Sequence, residues 1–244
     1  MILELDCGNS FIKWRLNDEG VIKMGLAGNA AELIVELEAE SVRDLRGIRL
    51  VSVRDEAETR TITEALSNCF GMSCSVATPS QALGGVRNGY SDYRTLGMDR
   101  WLAIVGAYSR ARKACLILDL GTAITADFVT GDGLHLGGFI CPGIPLMRSQ
   151  LQSHTGRIRY AHAVSDISLL GPGQKTAEAV ERGCLWMIRG FIHEQATMAT
   201  RLLGSDLDVF LTGGDAHLVL DRLPSARCEP DLVFAGLALA CPIG

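Results

Sequence analysis

No run of 18 apolar residues occurs in this chain of 244 residues, which excludes a helical membrane span. No Cys-x-x-Cys pair occurs among the eight cysteines, at positions 7, 69, 74, 115, 141, 184, 228 and 241. Most have apolar neighbours, so they read as small buried hydrophobes rather than a disulfide framework or a zinc site. The five histidines, at 135, 154, 162, 193 and 217, show no metal-ligand spacing and read as surface or structural groups. Lysine is scarce, four residues against 19 arginines, a skew that reads as a coding bias. With a net charge of −5 and no basic stripe, a dedicated nucleic-acid surface is not expected. Aromatic residues make up 6% of the chain and are scattered. No Gly-x4-Gly-Lys-Ser/Thr loop and no Gly-x-Ser-x-Gly elbow is present, which argues against P-loop kinases and α/β-hydrolases. The opening Met1-Ile-Leu-Glu-Leu-Asp6 has no basic n-region and puts an acid where an apolar h-region would be. It is not expected to be a signal peptide, and the expected location is cytoplasmic.

What is present is ordinary globular composition, 48% hydrophobic and 21% charged, with length for one large domain or two small ones. Alternation predicts a meander whose first strand runs into Asp6-Cys-Gly-Asn-Ser10, followed by strands through Phe11–Leu16 and Val21–Leu26. Helical spacing is expected over Ala30–Leu45 and Glu56–Phe70, with short strands at Arg49–Val53 and Ser73–Ala77. Residues 78 to 98 are rich in Gly, Pro, Asn and Ser, a long connection of the kind that often carries function. A helix is expected over Asp99–Arg112. A strand from Cys115 then ends in Asp119-Leu-Gly-Thr122, with strand-like runs at 123–130 and 134–140 and a helix from near Pro145. Residues 155 to 175 read as irregular. A long helix over Lys175–Leu203, a strand at Val209–Thr212 and a last helix over Asp231–Ala240 complete the pattern.

The chain repeats itself. Leu3-Glu-Leu-Asp6-Cys-Gly8-Asn9-Ser-Phe11 aligns with Leu116-Ile-Leu-Asp119-Leu-Gly121-Thr122-Ala-Ile124 at a shift of 113 residues. In both copies a strand ends in Asp-x-Gly-polar and leads directly into another strand. The pattern predicts a duplicated α/β domain, residues 1–112 and 113–244, with a cleft between the halves.

One Asp-x-Gly is a common turn signal; two at matched strand ends point to phosphate. Gly8 and Gly121 lack side chains, so phosphate oxygens can approach backbone N–H groups. Asn9, Ser10 and Thr122 add donors, and Lys13 alternates onto a face from which it can reach a phosphate. Asp6 and Asp119, at strand ends, are placed to hold cations. A third glycine motif, Thr212-Gly-Gly-Asp-Ala216, either lets an adenosine lie on the backbone or makes a tight strand-to-helix turn.

These motifs resemble the actin/Hsp70/sugar-kinase superfamily of ATP-binding folds and, within it, the type III pantothenate kinases. Asp6-Cys-Gly-Asn-Ser-Phe-Ile-Lys13 looks like that family's first phosphate loop and Asp119-Leu-Gly-Thr-Ala-Ile-Thr125 like its second. Asn88-Gly-Tyr90 with Leu96-Gly-Met-Asp-Arg-Trp101 looks like its substrate motif. Gly137-Gly-Phe-Ile-Cys-Pro-Gly143 and Gly173-Gln-Lys-Thr176 resemble two later motifs. The resemblance spans essentially the whole chain; one departure is Tyr93, where the family pattern has a proline, which bears on local loop rigidity. It implies a duplicated ribonuclease H-like fold, mixed β-sheets flanked by helices, and ATP-dependent phosphorylation of pantothenate to 4′-phosphopantothenate in coenzyme A biosynthesis. It makes Asp99 the general base and Tyr90, Gly97, Arg100 and Thr176 the substrate contacts, with Arg100 suited to a carboxylate. It assigns ATP to Asp6, Gly8, Asn9, Ser10, Lys13, Gly121 and Thr122, with Mg2+ near Asp6. It assigns a potassium or ammonium ion to Asp119. It implies a homodimer in which Thr176 reaches the partner's site; Trp101 and Trp186 then read as core or dimer packing. The remaining readings are a kinase for another hydroxyl substrate and a non-catalytic, nucleotide-binding regulator.

Overall fold

Alternation of apolar and polar residues produces the expected meander, β1 (Ile2–Cys7), β2 (Ile12–Asn17) and β3 (Val21–Ala27). A computed structural model describes residues 1–18, 20–40, 42, 44–155 and 171–243. After the meander come α1 (Ala30–Ala39), β4 (Gly47–Ser52), α2 (Glu56–Phe70) and β5 (Cys74–Val76). A two-stranded hairpin, β6 (Ala82–Leu83) and β7 (Val86–Arg87), precedes α3 (Met98–Ala111). Then follow β8 (Cys115–Leu120), β9 (Ala123–Val129), β10 (His135–Pro142), α4 (Ile144–His154) and α5 (Thr176–Leu203). β11 (Asp208–Thr212), β12 (Arg227–Cys228) and α6 (Leu232–Ala240) end the chain. The segment expected to be irregular at 155 to 175 falls mostly outside the described residues. No helix among the described residues is long and apolar enough to cross a membrane.

The two five-stranded sheets have the same design. Their orders are β3-β2-β1-β4-β5 and β10-β9-β8-β11-β12. In each the first strand is antiparallel to the second and parallel to the fourth. β1 and β8 are offset by 113 residues at both ends, the shift already visible in sequence. Asp6 and Asp119 therefore occupy the same position on equivalent strands. This is the duplicated α/β fold expected of the superfamily.

The chain divides into two compact units: Met1–Arg112 with Asp132–Leu136 and Asp231–Gly244, and Lys113–Gly131 with Gly137–Pro230. In the first, Leu3, Leu5, Cys7, Ile12, Trp14 and Leu16 turn one sheet face toward Leu33 and Leu37 of α1 and Ile62 and Leu66 of α2. Asn29 caps α1 by accepting from the Glu32 N–H, and the Glu32 carboxylate reaches back to accept from the Gly28 N–H at 2.8 Å and from Asn29 Nδ2 at 2.9 Å. The helical spacing extends to Leu45, but the helix ends at Ala39. The Val42 N–H bonds back to the Leu37 carbonyl at 3.4 Å, a wide terminal turn that releases the chain toward β4.

The opposite sheet face holds a charged network. Glu4 is fully buried and accepts from Arg15 Nε at 2.5 Å and from Arg49 Nε and Nη2 at 2.8 and 2.5 Å. Arg49 also donates to the Cys241 carbonyl at 3.1 Å, and Arg15 pairs with Asp231 at 3.1 Å and lies over the Phe234 ring at 4.4 Å. Both arginines thus tie the C-terminal residues to the first sheet. α6 also packs on α3 through reciprocal glycines. A Cβ on Gly106 would overlap the Leu232 carbonyl, and one on Gly236 the Leu102 carbonyl. Gly236→Val is therefore expected to lower the urea-unfolding free energy by about 1–3 kcal/mol or more, because neither backbone can yield. An unchanged midpoint would show that the helices can separate freely.

The connection at 78 to 98 is not bare loop. Gly84 and Gly85, both at positive φ (59° and 91°), make the two-residue turn of the β6–β7 hairpin. At the site of the missing proline, Tyr93–Thr95 forms one 3-10 turn whose start is held by Asp92, which accepts from the Arg94 N–H at 3.1 Å and pairs with its guanidinium at 2.8 Å.

In the second unit Leu116, Leu118 and Leu120 of β8 and Ile124, Ala126 and Phe128 of β9 form the core. Ile144 and Met147 of α4 and Val180, Cys184, Ile188 and Ile192 of α5 pack against them. Four of the eight cysteines (7, 115, 184 and 241) are buried, 74 and 141 are half-buried, and 69 and 228 are exposed.

Candidate active site

The end of β1 alternates Glu4 and Asp6 onto the face away from the Leu3–Leu5–Cys7 core. Lys13, the register partner of Asp6 on β2, brings its ammonium to 4.0 Å. Burial pushes the Asp6 carboxyl up to about 6; Lys13 opposes the rise and the charge of Asp99 adds to it. Asp6 is thus a carboxylate short of positive charge. Cys7 beside it stays a thiol, because burial and the Asp6 charge push it up to about 12. The loop that follows is held from behind by Arg54, which donates to the Gly8 carbonyl at 2.9 Å and the Gly28 carbonyl at 3.3 Å. Asn9, Ser10 and Phe11 are left exposed. Sequence reasoning does not single out Arg54, since no local pattern links position 54 to position 8.

The second loop has the same start. Asp119 faces Thr125 of β9 and Thr212 of β11 in register, both buried. A Cβ at Gly121 would meet only ordinary contacts, 3.6 Å to the Ala123 carbonyl and 3.7 Å to Asp119 Oδ1, so packing sets no demand for glycine there. The Gly121 N–H donates to the Ala123 carbonyl at 3.1 Å. The Thr122 carbonyl accepts from the Gly143 N–H at 2.9 Å, which seats the start of α4 on this loop. The two glycines after β11 differ. Gly213, at φ +88°, packs against β8, where a Cβ would come within 2.5 Å of Asp119 Oδ1 and overlap the Leu120 carbonyl. Gly214 has nothing within 4 Å of where a side chain would start.

Asp99 stands in the first turn of α3, half-buried, with Oδ1 accepting the Arg100 N–H at 2.7 Å. A Cβ at Gly97 would lie 2.9 Å from that oxygen, so glycine at 97 makes room for the carboxylate. The remainder of the helix start is anchored by Leu96, Met98 and Trp101, all buried, with Trp101 Nε1 donating to Ser80 at 3.1 Å. Of the two tryptophans singled out, Trp101 is core, while Trp186 is 45% exposed.

Arg100 is buried, and its Nη1 donates to the Tyr90 hydroxyl at 2.9 Å. A buried guanidinium held this way has a fixed plane and direction, a geometry suited to a planar carboxylate. Tyr90 follows a turn in which Asn88 Oδ1 accepts the Tyr90 N–H at 3.0 Å. Asp6, Lys13, Tyr90, Gly97, Asp99 and Arg100 all belong to the first unit; Asp119, Gly121, Thr122 and Thr176 belong to the second. Thr176 is the exposed first residue of α5. Among the described residues no group of three or more His, Cys, Asp or Glu side chains could hold a metal ion by itself.

A family model for type III pantothenate kinase matches residues 2–198. A type III pantothenate kinase from Pseudomonas aeruginosa (strain LESB58) is 57% identical over 247 residues, covering 100% of both chains. Among solved structures, a protein described as a Baf family transcriptional activator from Campylobacter jejuni superposes with a TM-score of 0.60 at 21% identity, covering 96% of this chain and 94% of that one. An inorganic polyphosphate/ATP-glucomannokinase from Arthrobacter superposes with a TM-score of 0.50 at 15% identity, covering 97% and 96%. At those identities the two structures establish the fold alone, and it is the actin/sugar-kinase fold. By its full-length likeness to the Pseudomonas enzyme and the match to the family model, the chain belongs to the type III pantothenate kinase family.

Proposed function

We infer that this chain phosphorylates pantothenate with ATP, giving 4′-phosphopantothenate and ADP in coenzyme A biosynthesis. The observation that supports this reading best is the equivalence of Asp6 and Asp119 on duplicated strands, each followed by a glycine loop, with Asp99 in the same unit as Asp6. Asp99 accepts the proton of the substrate's primary hydroxyl as that oxygen bonds to the γ-phosphorus and the bond to the ADP oxygen breaks. Phosphoryl transfer has a loose transition state, so holding the hydroxyl in line matters more than the strength of the base. In this reading residues 1–112 carry the first phosphate loop, and Gly8, Asn9, Ser10 and Lys13 bind ATP oxygens. Residues 113–244 carry Gly121 and Thr122, and the open backbone at Gly214 suits the adenosine.

A divalent ion, when bound, screens the phosphates, and the cation-deficient Asp6 suits its neighbourhood. The Asp119 carboxylate, packed against Gly213 and flanked by two threonines, suits a monovalent ion. Arg100 binds the pantothenate carboxylate, and Tyr90, Gly97 and Thr176 contact the rest of the molecule.

The direct test is mass spectrometry of a mixture of protein, ATP, magnesium, potassium and pantothenate. Phosphopantothenate is expected, and it is expected to vanish when sodium replaces potassium. Product formed equally well in sodium would remove the monovalent site from Asp119. ATP binding without product under any cation would favour the regulatory reading or another hydroxyl substrate.

We also assign a homodimer. The second unit exposes Phe139, Ile140, Trp186 and Met187, next to an apolar groove lined by Cys141, Pro142, Met147 and Phe191. An apolar surface of this kind is suited to a second copy of the chain. Thr176→Ala is expected to raise the half-saturation for pantothenate. Co-expression with Asp99→Asn is expected to restore activity in mixed dimers, because one site then receives intact residues from both chains. A monomeric mass by light scattering at micromolar concentration would remove the shared site.

A further inference from the structure

We propose that His135 is a positioning residue for substrate binding: its buried ring stacks on Tyr90 and so fixes the hydroxyl that aims Arg100. The inference rests on the reading of Arg100 as the carboxylate-binding group. His135 has no solvent exposure, and its ring lies 5.9 Å from that of Tyr90 at an interplanar angle of 14°. The Tyr90 hydroxyl accepts from Arg100 Nη1 at 2.9 Å, and the guanidinium carbon stands 5.8 Å from the Tyr90 ring centre. The three side chains form one column, His135–Tyr90–Arg100, with only the last carrying the charge that meets the ligand.

The backbone is built to hold this column. The Arg87 N–H donates to the Gly133 carbonyl at 2.8 Å, and Arg87 and Leu134 form a parallel bridge. Segment 86–90 therefore runs beside segment 133–135. Gly89 lies directly on the His135 carbonyl, where any Cβ would overlap it. This explains the glycine of Asn88-Gly-Tyr90: its absent side chain lets the tyrosine ring come down onto the histidine. A flat partner at 135 restricts the phenol to one tilt, as offset aromatic pairs do. Without it the Tyr90 ring can rotate, and the hydroxyl leaves the guanidinium with one fewer fixed acceptor.

The test compares two variants that both fill the space. His135→Leu removes the flat ring, and His135→Phe keeps it. His135→Leu is expected to raise the KM for pantothenate about tenfold, the worth of one hydrogen bond to a charged group, with kcat at saturation within about twofold. His135→Phe is expected to return KM to near the wild-type value. Pantothenol, which carries an alcohol in place of the carboxylate, is expected to show the same KM with wild type and His135→Leu. Equal KM for pantothenate in wild type and His135→Leu, or an equal rise for both substrates, would overturn the proposal. Arg100→Gln measured in parallel separates the layers. If it leaves the pantothenate KM unchanged, the carboxylate assignment itself fails; if it raises KM while His135→Leu does not, only the role of His135 fails.

Discussion

Asp99→Asn is expected to lower kcat by about 10²–10⁴-fold, the usual contribution of a positioned general base, while leaving the fold intact. The two effects separate because Asp99 has two jobs. Its Oδ1 accepts the Arg100 N–H at the start of α3, and an asparagine oxygen can accept the same bond. The amide cannot take a proton from the attacking hydroxyl. Gly97, which makes room for Oδ1, accommodates an amide of the same shape. Steady-state kinetics and a thermal melt, taken together, check the prediction. Wild-type turnover would remove Asp99 as the base; lost turnover with a collapsed melt would mean that the carboxylate is structural instead.

Asp6→Asn is expected to raise stability at neutral pH while, like Asp99→Asn, lowering activity. The Asp6 carboxyl titrates at about 6 in the folded chain against 3.8 for an ordinary aspartate. The native state therefore holds this proton more tightly than the unfolded chain does. Between those two values the unfolded chain binds fewer protons, so stability falls as pH rises, and the cost is complete above about pH 6. The shift corresponds to at most about 3 kcal/mol at neutral pH. Asn removes this cost, so the variant should melt higher than wild type at pH 7–8, and the two should converge near pH 4. Activity should fall about 10²–10³-fold, the scale for losing one preorganised electrostatic group. Magnesium and ATP should stabilise the wild type more than the variant, since cations satisfy the carboxylate. A lower melting temperature for Asp6→Asn at pH 8 would show that Lys13 already neutralises it.

Much of the site is legible in the order of the amino acids, and the reasons are local. A strand buries every second residue, so Leu3, Leu5 and Cys7 have to share a face and Asp6 has to point away from it. The same alternation around Asp119 makes the duplication visible as an offset of 113, and both five-stranded sheets carry it. The α2 bounds match the expected Glu56–Phe70, with Asp55 accepting from the Glu58 N–H at its start and Gly71 at φ 67° after its end, both local capping chemistry. The hairpin at the paired glycines 84 and 85 is harder to read, because strands of two residues leave no alternation to follow.

The β1–β2–β3 meander, the two aspartate-ended loops and the family motifs depend on neighbours in the chain, and so the linear pattern is enough to specify them; the parallel pairings of β1 with β4 and β8 with β11 join residues 45 and 93 apart and are decided by packing. Packing in three dimensions settles which glycines are there for contact: Gly106 and Gly236 let two distant helices touch, and Gly213 seats a turn on the end of β8. It also brings Asp231, Phe234 and Cys241 against the first sheet, held through Arg15, Arg49 and the fully buried Glu4. The stacking of His135 on Tyr90 is of the same kind. These arrangements join residues of high sequence separation, and a side chain's burial or partner across such a distance is set by how whole elements pack, which no local spacing encodes.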